Sequence, residues 1–260
     1  MKKLKELYEY REMIFSLVKR DLKGRYKGSA LGFLWTFINP LLQLLVYTMV
    51  FSVIMRSGIE DYYMFLFVAL VPWIFFSSSL NGGSSCICAQ KDMVKKIYFP
   101  REVLPVSYVT SQFVNMLLTF LVIFGVIFVT GRVRMLSLTA LLYLPVIMIV
   151  EYTLCLGVAM ISSAVTVYLR DVEYILGIVA MAWQFLTPVM YSMDQVPKQL
   201  HIVFQVNPMS PVIVAYRDIL YYGKAPELQT LLSAFVLGMA LLGAGGLIFG
   251  RLQRHFVEEL

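Results

Sequence analysis

Long uncharged stretches alternate with short basic or polar ones along this chain. The uncharged runs cover 34–55, 62–80, 106–130, 137–167, 174–193 and 228–250. Each can supply the roughly 20 apolar residues that an α-helix needs to cross a bilayer. The pattern predicts an all-α integral membrane protein with six transmembrane helices, built as one domain over 1–260. The fourth run is broken only by Glu151 and is long enough to tilt or to extend beyond the bilayer. Pro40, Pro72 and Pro188 lie inside or near these runs. Membrane helices tolerate such prolines where neighbours re-satisfy the backbone.

Two segments outside the runs have patterns of their own. Within 1–30, Ile14, Leu17, Val18, Leu22 and Tyr26 share one helical face, while Lys19, Arg20, Lys23 and Lys27 share the opposite one. Arg25 and Asp21 interrupt the apolar side. This periodicity predicts a helix lying in the membrane interface. It serves either as a basic anchor that fixes topology or as a collar at the entrance of a pathway. Between the fifth and sixth runs, the apolar stretch 202–216 is interrupted by Asn207-Pro208 and Ser210-Pro211. It is too short and too broken to span, and a re-entrant or interfacial helix pair fits it better. Irregular backbone at membrane depth must be buried in protein or line a cavity, so this segment is a candidate outer gate.

Composition agrees with the bilayer as solvent. The chain is 59% hydrophobic and 15% charged, with a mean hydropathy of +0.75. The net charge of +6 invites a nucleic-acid reading, but the charges sit at the edges of apolar runs, as topology signals do. With the N-terminus inside, 16 of the 22 Lys and Arg residues fall on inner segments. The positive-inside rule therefore puts both termini in the cytoplasm. Arg132 and Arg134 fall on the wrong side. Cys86, Cys88 and Cys155 form no disulfide framework, and Cys86-x-Cys88 lacks the further ligands of a zinc site. The first thirty residues lack the short apolar core and cleavage site of a signal peptide.

Candidate chemistry is sparse. The sequence has no phosphate-binding glycine loop and no metalloprotease-type histidine motif. His201 and His255 lie in loop and tail segments without an adjacent nucleophile or carboxylate partner. Glu151 is the one ionisable residue deep in a run, and it must face protein or water. It is either a pathway or proton-coupling group or a structural hydrogen-bonding one. Polar and aromatic residues dot the first and fifth runs. Trp35, Asn39, Gln43, Tyr47, Phe51, Gln184 and Tyr191 are candidates for a hydrated pathway, since polar groups are costly against lipid. Gly246-x-x-x-Gly250 has the spacing that lets membrane helices approach, within one subunit or between two.

Several segments, in order and almost end to end, resemble the permease subunits of ABC-2 type exporters, in the branch that moves O-antigen, capsule and teichoic acid. They are Val18 to Leu41, Lys95 to Pro105 and Tyr168-Leu-Arg-Asp-Val172. Further on come Thr187-Pro-Val-Met-Tyr191, Asn207-Pro-Met-Ser-Pro211 with Tyr216-Arg-Asp218, and the tail 249–259. The resemblance implies a homodimeric permease in a bacterial cytoplasmic membrane, bound to two copies of a cytosolic ABC ATPase. ATP and Mg would reside on that partner, and this chain would bind no cofactor. It implies a lipid-linked, undecaprenyl-diphosphate type glycan as substrate. Lys19, Arg20, Lys23, Arg25 and Lys27 would then meet the diphosphate at the entrance and anionic membrane lipids around it. Lys95, Lys96, Arg101, Arg170 and Asp171 would contact the ATPase, and Pro188, Pro197, Asn207, Pro208 and Pro211 would shape the outer gate. Glu151 departs from the family pattern, where an uncharged polar residue is expected. Two other readings compete: an ABC-2 permease for a lipid or small molecule, and a membrane enzyme of lipid-linked glycan assembly. The enzyme would want paired acids at a membrane face, and Asp171 with Glu173 is the best pair present.

Overall fold

The computed structural model describes residues 2–24, 28–132 and 136–260. Regular structure among the described residues is entirely helical. Arg25, Tyr26, Lys27 and Arg134 lie outside the described residues. The N-terminal segment folds as α1 (Lys2–Glu9) and α2 (Arg11–Gly24). The first membrane run becomes α3 (Trp35–Thr48), preceded by a single 3-10 turn and continued by a π-helical segment, Met49–Ile54. Then follow α4 (Tyr62–Ser85), the short α5 (Lys91–Lys96) and α6 (Val103–Val129). Next come α7 (Leu138–Leu141), α8 (Leu144–Tyr168) and α9 (Asp171–Phe185). The segment between the fifth and sixth runs holds α10 (His201–Val206) and α11 (Met209–Leu220), and the last helices are α12 (Leu228–Leu252) and α13 (Phe256–Glu259).

Among the described residues, five helical stretches are long and apolar enough to cross a membrane: Gly32–Ile54, Tyr62–Ser85, Val103–Val129, Leu138–Tyr168 and Leu228–Glu259. The run 174–193 is different. Its helix α9 has 15 residues and stops at Phe185, about 22 Å of rise against a hydrocarbon core of about 30 Å. Pro188 supplies the reason, because proline has no N–H to continue the ladder and pushes its predecessor out of helical geometry. The run 137–167 also divides: Pro145 sits in the first turn of α8, and Leu142–Tyr143 separate it from α7.

Helix α4 is the central post. It is apolar all round, with buried residues on every side, and a helix of that kind belongs in a core. It packs against α3, α6, α8, α9 and α11. The closest helix crossing is between α8 and α12. A Cβ on Gly157 would lie 2.5 Å from the Leu241 carbonyl carbon and the Leu242 nitrogen, and one on Gly245 would lie 2.5 Å from the Gly157 oxygen. Gly246 faces open space, so the small-residue surface that packs inside the protomer is one position away from the Gly246–Gly250 spacing.

A second core forms at one end. Leu17 of α2, Ile87, Val94 and Phe99 of the α4–α6 connection, Val167 of α8, Phe249 and the tail residue Phe256 all pack together. Tyr168 Oη donates to the Leu252 carbonyl at 2.8 Å. Helix α2, this connection and the C-terminal tail therefore share one end of the molecule.

Candidate functional site

The seven pathway candidates do not form one surface in the protomer. Helices α3 and α9 both lie on α4, with lesser contacts to α6 and α8 respectively, and are thinly covered: α3 buries only Thr36 and Pro40, and α9 only Ala180. Leu42, Leu45 and Val46 of α3 and Met49 at the start of the π-helical segment are exposed, as are Ile175, Ile178, Met181 and Phe185 of α9. These faces are mostly aliphatic. Tyr47 turns toward the core, and Phe51 stacks on Tyr62 with ring centroids 6.3 Å apart. Gln43 and Gln184 are half-buried. Tyr191 donates to the Phe185 carbonyl at 2.5 Å and meets Phe204 edge-on, beyond the end of α9.

Trp35 and Asn39 do come together, at the edge of the exposed face. With Thr36 and Pro40 they line a niche of about 120 Å³ between α3, α4 and α6. Ser78 of α4 and Gln112, Asn115 and Thr119 of α6 complete its polar lining. Trp35 is 37% exposed, and its Nε1 donates to Ser29 Oγ at 3.0 Å. The four polar residues on α4 and α6 escaped the sequence reading. The signal was the same as on α3, amides in the middle of an apolar run.

The segment of α10 and α11 is tied down by two buried polar hubs. Asn207 joins the end of α9 to the start of α11. Its Nδ2 donates to the Leu186 carbonyl at 2.8 Å and to Thr187 Oγ1 at 2.9 Å. Its Oδ1 accepts from Trp183 Nε1 and from the Met209 N–H, both at 3.0 Å. Arg217 of α11 is the second hub. Its guanidinium donates to the carbonyls of Val189 at 2.6 Å, Tyr191 at 3.1 Å and Phe65 at 3.4 Å, and lies 3.6 Å from the centre of the Phe65 ring. Tyr62 Oη adds a bond to the Met190 carbonyl at 2.8 Å. Pro188 and Pro211 are buried and Pro208 half-buried beside these hubs, whereas Pro197 is exposed. Lys224 pairs with Asp218 at 3.2 Å, and burial pushes the Asp218 carboxyl up against the pull of that ammonium. Arg132, on the poorer side of the charge count, pairs with Asp61 and sits over the Tyr221 ring. Its charge is thereby balanced locally, which accounts for one of the two exceptions.

Glu151 is fully buried in α8 and accepts a 2.7 Å hydrogen bond from Tyr216 of α11. It links α8 to α11, while its Oε1 is buried without a hydrogen-bond partner.

At the other end, Lys19, Arg20 and Lys23 of α2 are exposed while Leu17 and Val18 are buried, as the wheel predicts. Asp21, which interrupts the apolar side, accepts a hydrogen bond from Ser111 and pins α2 to α6. Lys95, Lys96, Arg170 and Asp171 are exposed. Arg101 instead donates to the Gln253 carbonyl, and Gln253 Nε2 reaches Glu102 at 3.0 Å. The two connections meet at Cys88, where burial pushes the thiol up while the Arg170 charge opposes it and the Glu173 charge adds to it. Ile97 and Tyr98 project beside Lys95 and Lys96, Tyr98 being 93% exposed.

Comparison with known proteins fits this arrangement. Residues 12–221 match the family model described as ABC-2 type transporter. The chain belongs to the ABC-2 type transporter family. It is 35% identical over 261 residues to an O-antigen export system permease protein of Myxococcus xanthus, covering 99% of this chain and 98% of that one. A Klebsiella pneumoniae protein of the same name is 31% identical, covering 96% of this chain and 95% of its own. The polysialic acid transport protein KpsM of Escherichia coli is 23% identical over 87% of this ABC-2 chain and 90% of its own.

Proposed function

We propose that this ABC-2 chain is the permease subunit of an ATP-driven exporter that moves a lipid-linked polysaccharide across the cytoplasmic membrane. The observation that carries this reading is the end-to-end similarity to permeases named for O-antigen export. The chain works as a homodimer with two copies of a cytosolic ABC ATPase, which hold the ATP and Mg. Two thinly covered helices on one bundle, α3 and α9, support a pathway formed against a second copy. Helix α9 makes the sixth crossing, its reach extended by the turn after Phe185, and α10 with α11 forms the re-entrant outer gate. Both termini are cytoplasmic, which agrees with the shared inner-end core and with the charge count.

On this reading, Lys19, Arg20 and Lys23 present ammonium and guanidinium groups to an anionic diphosphate carrier at the inner mouth. Lys95, Lys96, Arg170 and Asp171 contact the ATPase. Tyr98 adds a nearly bare aromatic ring to that surface, and such residues dominate the energetics of protein interfaces. The test is reconstitution. The chain alone should not hydrolyse ATP, and with its partner ATPase it should do so faster when the lipid-linked glycan of the source cells is added. Hydrolysis that ignores the glycan and responds to a small lipid or drug would overturn the polysaccharide assignment and favour the small-substrate alternative.

A further inference from the structure

The niche between α3, α4 and α6 lies within the length of three membrane helices. Asn39 is the eighth residue of Gly32–Ile54, Ser78 is the eighth from the end of Tyr62–Ser85, and Asn115 is one residue before the midpoint of Val103–Val129. Lipid cannot bond to neutral polar groups at this depth, so each needs a partner in the protein or in the recess; Thr119 Oγ1, for one, donates to the Asn115 backbone carbonyl at 2.9 Å. Asn115 Oδ1 is buried and has no hydrogen-bond partner. An unused carbonyl oxygen accepts, so its missing partner is a donor. The lining carries no charge, which selects against the diphosphate and for a neutral group. Asn39, Gln112 and Asn115 each bring both donors and acceptors, and Ser78 brings a hydroxyl. That mixture matches a group which itself donates and accepts, namely a hydroxyl. Trp35 stands half-exposed at the mouth, where its indole offers an apolar face.

We propose that this niche is a sugar-hydroxyl subsite within the membrane-spanning region, engaged by one residue of the glycan as it passes along the exposed face of α3. The proposal rests on the polysaccharide-export reading. The volume fits a transient role. About 120 Å³ equals about four waters at roughly 30 Å³ each, enough for the hydroxyl-bearing edge of a sugar ring but not for an enclosed repeat unit. A shallow, neutral, open subsite lets the chain leave again, as conduction through any pore requires. Water is the other source of hydroxyl donors, and the experiment must separate the two.

The test uses the intact complex of permease and ATPase in liposomes, with lipid-linked glycan extracted from the source cells as the probe. Asn115→Leu keeps the side-chain shape and removes its hydrogen bonding. The expected result is a rise of about fivefold in the glycan-lipid concentration that half-stimulates ATP hydrolysis, the effect of losing one hydrogen bond. A second variant guards against misfolding. Ser78→Cys, in a Cys88→Ser background, should react with a small water-soluble thiol reagent and be protected while glycan is held in transit. An unchanged half-saturation, or a Ser78→Cys thiol that reacts equally with and without glycan, means that the niche holds water only and overturns the proposal. If the wild-type complex shows no response to glycan at all, the export reading itself has failed, and the subsite falls with it.

Discussion

Two buried side chains show how much one residue contributes here. Asn207 uses both ends of its amide, and Asn207→Ala would strand the Trp183 N–H and the Met209 N–H together. A buried donor left unmade costs about 1–3 kcal/mol. The variant should lose roughly 2–4 kcal/mol, allowing for partial relaxation. Thermal unfolding of the detergent-solubilised protein would show this as a lower midpoint, and an unmoved midpoint would mean that the hub is dispensable. Glu151 poses a different question. Glu151→Gln keeps an acceptor for Tyr216 and should fold and transport normally, whereas Glu151→Leu leaves the fully buried Tyr216 hydroxyl unpartnered and should destabilise by about 1–3 kcal/mol. Loss of export by a stably folded Glu151→Gln would restore the proton-coupling reading. The sequence could mark Glu151 as inward-facing, because charge at membrane depth has few alternatives. It could not name Tyr216 as the partner, since 65 residues separate them and only tertiary packing brings α11 onto α8. The sequence could not say which way Tyr47 and Phe51 turn, for a related reason. Aromatic residues on a membrane helix serve a pathway, an interface or a core equally well, and the helix's rotation decides which.

At the scale of elements, the hydrophobic runs were legible because a bilayer demands length and apolarity, and five runs of sufficient length follow from that demand. What the runs could not give was where proline ends a helix within an apolar stretch. The stop at Phe185 and the break before Leu144 both occur inside uncharged sequence. Helix pairing shows the same limit. The spacing Gly246-x-x-x-Gly250 correctly marks α12 as a close-packing helix, yet the face used inside the protomer carries Gly238 and Gly245. A methyl group distinguishes the faces. Gly157→Ala would put its Cβ 2.5 Å from backbone atoms of Leu241 and Leu242, which cannot rotate away as a side chain can. It should therefore push α8 and α12 apart and cost about 1–3 kcal/mol. Gly246→Ala meets nothing within 4 Å and should leave the monomer's unfolding midpoint where it is. Equal effects of the two substitutions would place the crossing elsewhere.

Across the whole molecule, burial is uneven in a way that bears on assembly. Only 6% of the most apolar stretch of Gly32–Ile54 is buried, against 78% for Tyr62–Ser85. Facing lipid explains one bare side of a helix, but α3 and α9 are each held by very few buried residues of their own. Association in a bilayer gains nothing from hiding apolar surface from water. It relies on packing and on hydrogen bonds between helices. A polar niche that opens beside Trp35 and Asn39 would therefore be poorly placed against lipid and well placed against a second copy or a hydrated cargo. On the dimer reading, single cysteines at Leu42 or Leu45 of α3, or at Ile178 of α9, should cross-link between copies in native membranes under mild oxidation. Single cysteines at Val236 or Leu247, exposed on α12, should not. Cross-links confined to α12 would move the subunit interface to the opposite helix and leave α3 and α9 facing lipid. The pathway would then have to run through the interior of a single bundle, and neither the central post α4 nor the niche of about 120 Å³ leaves room there for a hydrated glycan.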